Sequence, residues 1–446
     1  MALTQAEAAH FLRRTGFGAS APEITALMSK TRAQSVDVAM DFSAVPPAPE
    51  PTRLRDENHW WAHADSVLWW TQRMATTPKP LQEKLALFWH NHFCSGMSKI
   101  DNMVDLFTQN QAFRTGGLGS FKQLLTNVTF GGAMLVYLDN DVNKKGNVQE
   151  NFAREVMELF TLGVGNYTEA DIVAMAKAWT GHNVVGWNGS IYDTTYKFFP
   201  TRHDTTTKTM FGIARNWDAA DTIEELVNGT KQADCARFIA RKLYKWFVHT
   251  NPSDAVVQEL ANVFVANSMS IGPLVRAILM HDDFWSAAAR YALVKSPVEF
   301  VVDVMKRAGT GLMDSGTLRY LIEPMGQLLF EPPNVAGWGQ NDYWLSTATM
   351  WARGRFAEWL GWRIDDADVN FMPELTAPTS GPLTMTAAQF AQYIFDKFAI
   401  VEPSTSTRTR LESWYTANNA NNGGQRWAIR PHAAQLAILC PEFQVV

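Results

Sequence analysis

At 446 residues, with 46% hydrophobic and 19% charged residues, the chain has a globular composition and room for two to three domains or one large body. A formal net charge of −5, with no long Lys or Arg run, argues against binding nucleic acid by phosphate neutralisation. No stretch approaches the roughly 18–20 uninterrupted apolar residues of a membrane span, and no basic segment leading into an apolar core marks a secretory signal. The expectation is therefore a soluble, cytoplasmic chain.

Most segments carry helical periodicity. Residues 4–14 predict a helix stopped at Gly16-Phe17-Gly18, and a second runs from Pro22 to about Met40. The proline-rich stretch Pro46 to Pro51 predicts an extended connector. Helices are expected over 56–75, 80–95, 102–113, 119–127, 147–162 and 169–180, the last opened by a Thr168–Asp171 capping box. Segments 182–187 and 191–199 flank Asn188-Gly189, a hairpin signal, so a small antiparallel β insert is expected over 182–212. Helices resume at 218–228, 231–248, 254–266, 271–286, 295–308, 315–328 and 346–362. A polar linker over 366–384 then leads to helices near 386–398, 404–416 and 428–440. The expected fold is mainly α. A helical main body over 1–365 carries the β insert, and a helical C-terminal portion over 366–446 packs on it as one unit.

Cys94, Cys235 and Cys440 are too scattered for a disulfide framework or a zinc ribbon and read as small buried residues. The 17 tryptophans read chiefly as packing residues, although their faces could also stack on sugars or bases.

Two blocks place titratable residues inside apolar helix: Phe88-Trp89-His90-Asn91-His92-Phe93, and Asn151 to Phe160. At about 100° per residue, His92 lies on one stripe with Leu81, Leu85 and Phe88, and His90 points the opposite way toward Glu83. Asn151, Arg154, Glu155 and Glu158 share a polar face. On an isolated helix that face would be solvated, with an Arg154–Glu158 pair at i,i+4. Turned into a cleft, it would offer a general base or ligand (Glu155 or Glu158) and an anchor or anion clamp (Arg154). His203-Asp204, in the turn after the β segment, could serve as base and orienter or as metal ligands, or could simply cap its own turn. No Gly-x-Ser-x-Gly elbow, phosphate loop or His-Glu-x-x-His motif occurs.

The blocks His10 to Gly18, Phe88 to Phe93, Asn151 to Gly165, Phe198 with His203-Asp204 and Lys208, Phe238 to Val248, Lys295-Ser296-Pro297-Val298-Glu299, Gly326-Gln327 through Trp338, and Pro441 to Gln444 together resemble a large bacterial family, number 1800 among the domains of unknown function. The resemblance covers nearly the whole chain. It implies no agreed activity. It does imply a neighbouring partner, a sulfatase-like family numbered 1501 that often carries an export signal, and hence a route to the periplasm by co-export.

Two functional readings follow. One is an enzyme, hydrolytic and assisted by a divalent cation, with His92, Asn151, Arg154, Glu155, Glu158, His203 and Asp204 lining one pocket and His203 and Asp204 on the metal. The other is a non-catalytic maturation partner for the sulfatase-like protein, with the polar stripe as a buried structural network.

Overall fold

Caps divide the N-terminal chain into three helices, Gln5–Thr15, Ala21–Met28 and Arg32–Met40. One helix was expected over 22–40. Thr31 opens a new one instead: its hydroxyl accepts from Gln34 N–H at 3.3 Å, and its own N–H donates to the Gln34 side chain at 2.9 Å. The computed structural model describes residues 1–43, 45, 49–186, 194–364, 369, 371–375, 383–420 and 429–446. Throughout these the chain is mainly α, with two small antiparallel two-stranded sheets.

Helix Pro80–His92 is central. Pro80 is pre-set for a first helical turn, and Leu81, Leu85, Phe88, Trp89, His90 and His92 are all buried, so both faces meet protein. The charges it carries inward are matched. Glu83 accepts from Trp70 Nε1 at 2.8 Å, Arg73 Nε at 2.5 Å and Arg114 at 2.6 and 2.8 Å. Lys84 pairs with Glu299 of helix Pro297–Ala308. A turn further along that helix, buried Asp303 accepts from Lys295 at 2.6 Å and Arg307 at 2.7 Å. Buried ions are tolerated because each finds a counter-ion and hydrogen bonds. All three cysteines are free and buried.

The β insert has two hairpins. β1 (His182–Val185) pairs with β2 (Thr195–Phe198), with His182 opposite Phe198. The Asn188-Gly189 turn expected between them lies outside the described residues. β3 (Lys208–Met210) pairs with β4 (Ile213–Arg215) around Phe211-Gly212, both at positive φ, as a tight hairpin turn requires. The insert thus runs to Arg215, three residues beyond the expected end.

Toward the end of the chain, helix Thr347–Arg363 packs on Ile429–Leu439, and Ala387–Phe398 packs on both Thr405–Ala420 and Ile429–Leu439. Arg353 donates to the Lys295 carbonyl and to the Gln444 side chain, both at 2.6 Å. Val294 and Val445 form an antiparallel bridge, and Phe443 packs edge-on against Phe300.

Candidate functional site

The segment expected as one helix over 147–162 is an α-helix, Asn151–Glu155, that widens into a π-helix, Val156–Leu162. The Thr161 hydroxyl donates at 2.6 Å to the Val156 carbonyl five residues back, which fits the wider turn. Gly163, at φ +77, ends it, and a Cβ there would sit 2.9 Å from the Phe238 ring. π-Turns inside helices occur often at functional sites.

On the polar side, Arg154 does not pair with Glu158. Both its terminal nitrogens donate to Glu169 at 2.8 Å, and one reaches Glu150 at 3.5 Å. Glu158 accepts the Tyr167 hydroxyl. Glu155, half-buried, has no hydrogen-bond or ion-pair partner among the described residues. Burial, and next the negative charge of Glu158, raise its carboxyl above the usual range; Arg154 opposes this in part. Asn151 sits at the exposed start of the helix, with only long contacts to the Leu138 carbonyl (3.5 Å) and the Asp139 carboxylate (3.4 Å).

His92 meets the same segment from inside. Its Nε2 lies 3.0 Å from the Phe160 carbonyl, which places the proton on Nε2 and leaves a buried Nδ1 without a partner. Burial, and then the Lys242 ammonium, push the imidazole well below its ordinary pKa, so it is neutral. Its ring is packed against Phe88, Trp89, Phe93 and Phe160. No hydrogen bond or ion pair among the described residues joins it to Glu155 or Glu158.

His203 and Asp204 lie beyond the next helix, Glu169–Ala178, and both hold on to Thr180. His203 Nδ1 donates to the Thr180 carbonyl at 2.8 Å, and the Asp204 N–H donates to the Thr180 hydroxyl at 2.8 Å. The Asp204 carboxylate accepts from Thr206 N–H and hydroxyl at 2.8 and 2.5 Å, an Asx turn. Burial would raise this carboxyl, but the Thr206 hydrogen bonds and the Lys208 ammonium hold it below its ordinary value. No group of three or more His, Cys, Asp or Glu side chains among the described residues is placed to hold a metal ion.

Of the seven residues expected in one pocket, the structure thus gathers Arg154, Glu155 and Glu158 in one polar patch. It leaves Asn151 at the exposed start of the helix, holds His92 on the Phe160 carbonyl of the same segment, and gives His203 and Asp204 a separate turn. Tyr167 and Glu169 complete the patch and escape the sequence reading. The signal for them was the Gly163-Val164-Gly165 turn, whose two glycines at positive φ fold the following residues back alongside Arg154 and Glu158.

No curated protein and no solved structure matches the chain. One family model does, described as a protein of unknown function (DUF1800), over residues 10–445. The match spans essentially the whole sequence, and the chain therefore belongs to the DUF1800 family.

Proposed function

We propose that the protein is an enzyme of the acid–base, hydrolytic class, with Glu155 as the proton-exchanging group. The observation that carries this reading is the contrast within the patch: Arg154 and Glu158 are engaged by Glu169 and Tyr167, and half-buried Glu155 has no hydrogen-bond or ion-pair partner among the described residues. An upward displacement from the usual carboxylate range is the direction in which general acid–base catalysis tunes a glutamate. Glu158, fixed by Tyr167, supplies the adjacent negative charge. Arg154 is an anchor rather than an anion clamp, because Glu169 occupies both its prongs. Among the described residues no three His, Cys, Asp or Glu side chains are placed to hold a cation, and Glu155 is assigned proton exchange alone.

The test is a panel of activated esters, phosphate esters, sulfate esters and glycosides, hydrolysed by the wild type and by Glu155→Gln. The expected result is turnover of at least one class, reduced 100-fold or more in Glu155→Gln, within the range of about 10²–10⁴ for a general acid–base group. Equal turnover by both proteins would rule Glu155 out.

The second reading, a non-catalytic partner of an exported sulfatase-like protein, draws support from a different surface. Trp351 and Trp362 stand three turns apart on helix Thr347–Arg363, are 62% and 68% exposed, and so share one face. Clustered exposed aromatic residues favour protein contact. On this reading the chain travels to the periplasm with its partner, and Trp351→Ala with Trp362→Ala abolishes co-purification. Retained co-purification would detach the partner role from this face.

A further inference from the structure

Away from the acidic patch, a partly open cavity of about 40 Å³ lies between helices Gln5–Thr15, Pro80–His92 and Gln232–Phe247, the start of Pro297–Ala308 and the segments at Leu293-Val294, Gly339 to Asn341 and Val446. One water needs roughly 10–15 Å³ of such space, so the cavity suits a group of about three heavy atoms. Five of the blocks that carry the family resemblance each put a residue on its wall: Arg14 from the first, Asn91 from the second, Lys245 and Trp246 from the fifth, Glu299 from the sixth and Gln327 from the seventh.

The wall is cationic. Arg14, Lys84 and Lys245 share the lining with one side-chain carboxylate, Glu299, which is already taken by Lys84 and by the Ser296 N–H at 2.7 Å; Val446 lines it as well. Arg14 is 1% exposed. Its Nη2 donates to the Val248 and Ala289 carbonyls at 2.9 and 2.5 Å, while Nε and Nη1 are buried with no acceptor among the described residues. The indole Nε1 of Trp246 is likewise buried without an acceptor. Buried donors left unpaired cost about 1–3 kcal/mol each, more on a charged group, so native proteins rarely keep three around one space unless something accepts from them. Burial pushes the Arg14 guanidinium down to about 9 despite Glu299, as expected of a cation short of acceptors. Acceptor-only, negatively charged and about three heavy atoms in size describes a carboxylate.

We propose that this cavity is a binding site for the carboxylate group of a small acidic ligand, held by Arg14 and Trp246 with Lys245 beside it. The site shares no residue with the Glu155 patch, so the two stand or fall separately.

The test uses the full chain with sodium acetate as probe and sodium chloride at matched ionic strength as control. Thermal unfolding reads the stabilisation that binding to the native state confers. The indole N–H signals in ¹H–¹⁵N spectra read the contact itself. Arg14 also ties down two backbone carbonyls, so its replacement is expected to unfold the chain; Trp246→Phe and Lys245→Ala keep the test readable. Acetate should raise Tm beyond chloride and move one indole signal that is missing in Trp246→Phe. Affinity should fall roughly tenfold in that variant, as for one hydrogen bond to a charged acceptor, and severalfold in Lys245→Ala. Acetate acting no differently from chloride, or equally on all three proteins, would overturn the proposal. Sulfate or phosphate binding where acetate does not would replace the carboxylate with a larger oxyanion and overturn it as stated.

Discussion

Arg154 clasps Glu169 with both guanidinium nitrogens at 2.8 Å and leaves Glu158, four residues further along its own segment, to the Tyr167 hydroxyl. The wider π-turn changes the angular step between residues, so the i,i+4 geometry that would join Arg154 to Glu158 on an α-helix does not hold here. Tyr167→Phe is expected to cost about 1 kcal/mol, the usual net worth of a hydrogen bond at a partly exposed site. Glu155→Gln, which breaks no hydrogen bond, should leave stability unchanged or slightly higher. Urea unfolding of the two variants checks both, and an equal loss in each would contradict the pairing.

Stability should fall on mild acidification. Burial lowers His63 to about 4, His90 to about 3 and His182 to about 4, from an ordinary 6.5. His63 lies 2.7 Å from the Leu329 carbonyl, and His90 accepts the Phe330 N–H at 3.0 Å, so the neutral rings are built into the core. Between pH 6.5 and about 4 the unfolded chain binds these protons and the folded chain does not. Stability is then fully present above pH 6.5 and drops as pH falls, by up to about 1.4 kcal/mol per unit for each histidine. Denaturant midpoints at pH 7 and pH 5 read this, and His182→Asn should flatten the slope. A midpoint independent of pH over that range would contradict neutral burial.

The Lys84–Glu299 pair is predicted to be unequal in its parts. Removing one partner strands a buried charge, so Lys84→Met or Glu299→Gln alone should cost about 3–5 kcal/mol. The double replacement should cost clearly less than the sum. Additive losses would mean that the two do not share one buried interaction.

Gly18 and Gly311 should respond unequally to alanine. At Gly18, φ is +92 and a Cβ would fall 2.0 Å from an Asp303 oxygen, displacing the carboxylate that Lys295 and Arg307 hold. At Gly311 a Cβ meets nothing within 4 Å. Gly18→Ala should cost roughly 1–3 kcal/mol, the range for a strained backbone position, and Gly311→Ala close to nothing. Similar Tm values for the two variants would contradict the Gly18–Asp303 contact.

Much of the fold was legible because burial writes itself into periodicity. The apolar faces around Leu81, Leu85 and Phe88 identify a central helix, and the Thr168–Asp171 capping box marks a helix start that the structure repeats. Breaks were less legible. Ser29-Lys30 between two helices and His281 between Ile271–Met280 and Asp282–Trp285 leave little periodic trace, since each neighbour keeps its own apolar face. The site was legible only in part. Arg154, Glu155 and Glu158 are close in sequence and so stay close in space. His92 and the His203-Asp204 pair depend on chain packing that local pattern does not encode, and each found a backbone or hydroxyl partner instead. The cavity at Arg14 is the clearest case, because its wall is assembled from segments as far apart as Arg14 and Gln327.

The most direct test of the central claim is the titration of the Glu155 side-chain carboxyl, followed by ¹³C NMR in the wild type and in Glu158→Gln. The expected Glu155 midpoint lies above the ordinary 4.5 and moves down when the neighbouring charge at residue 158 is removed. A midpoint at or below 4.5 in the wild type, unmoved in Glu158→Gln, would contradict it.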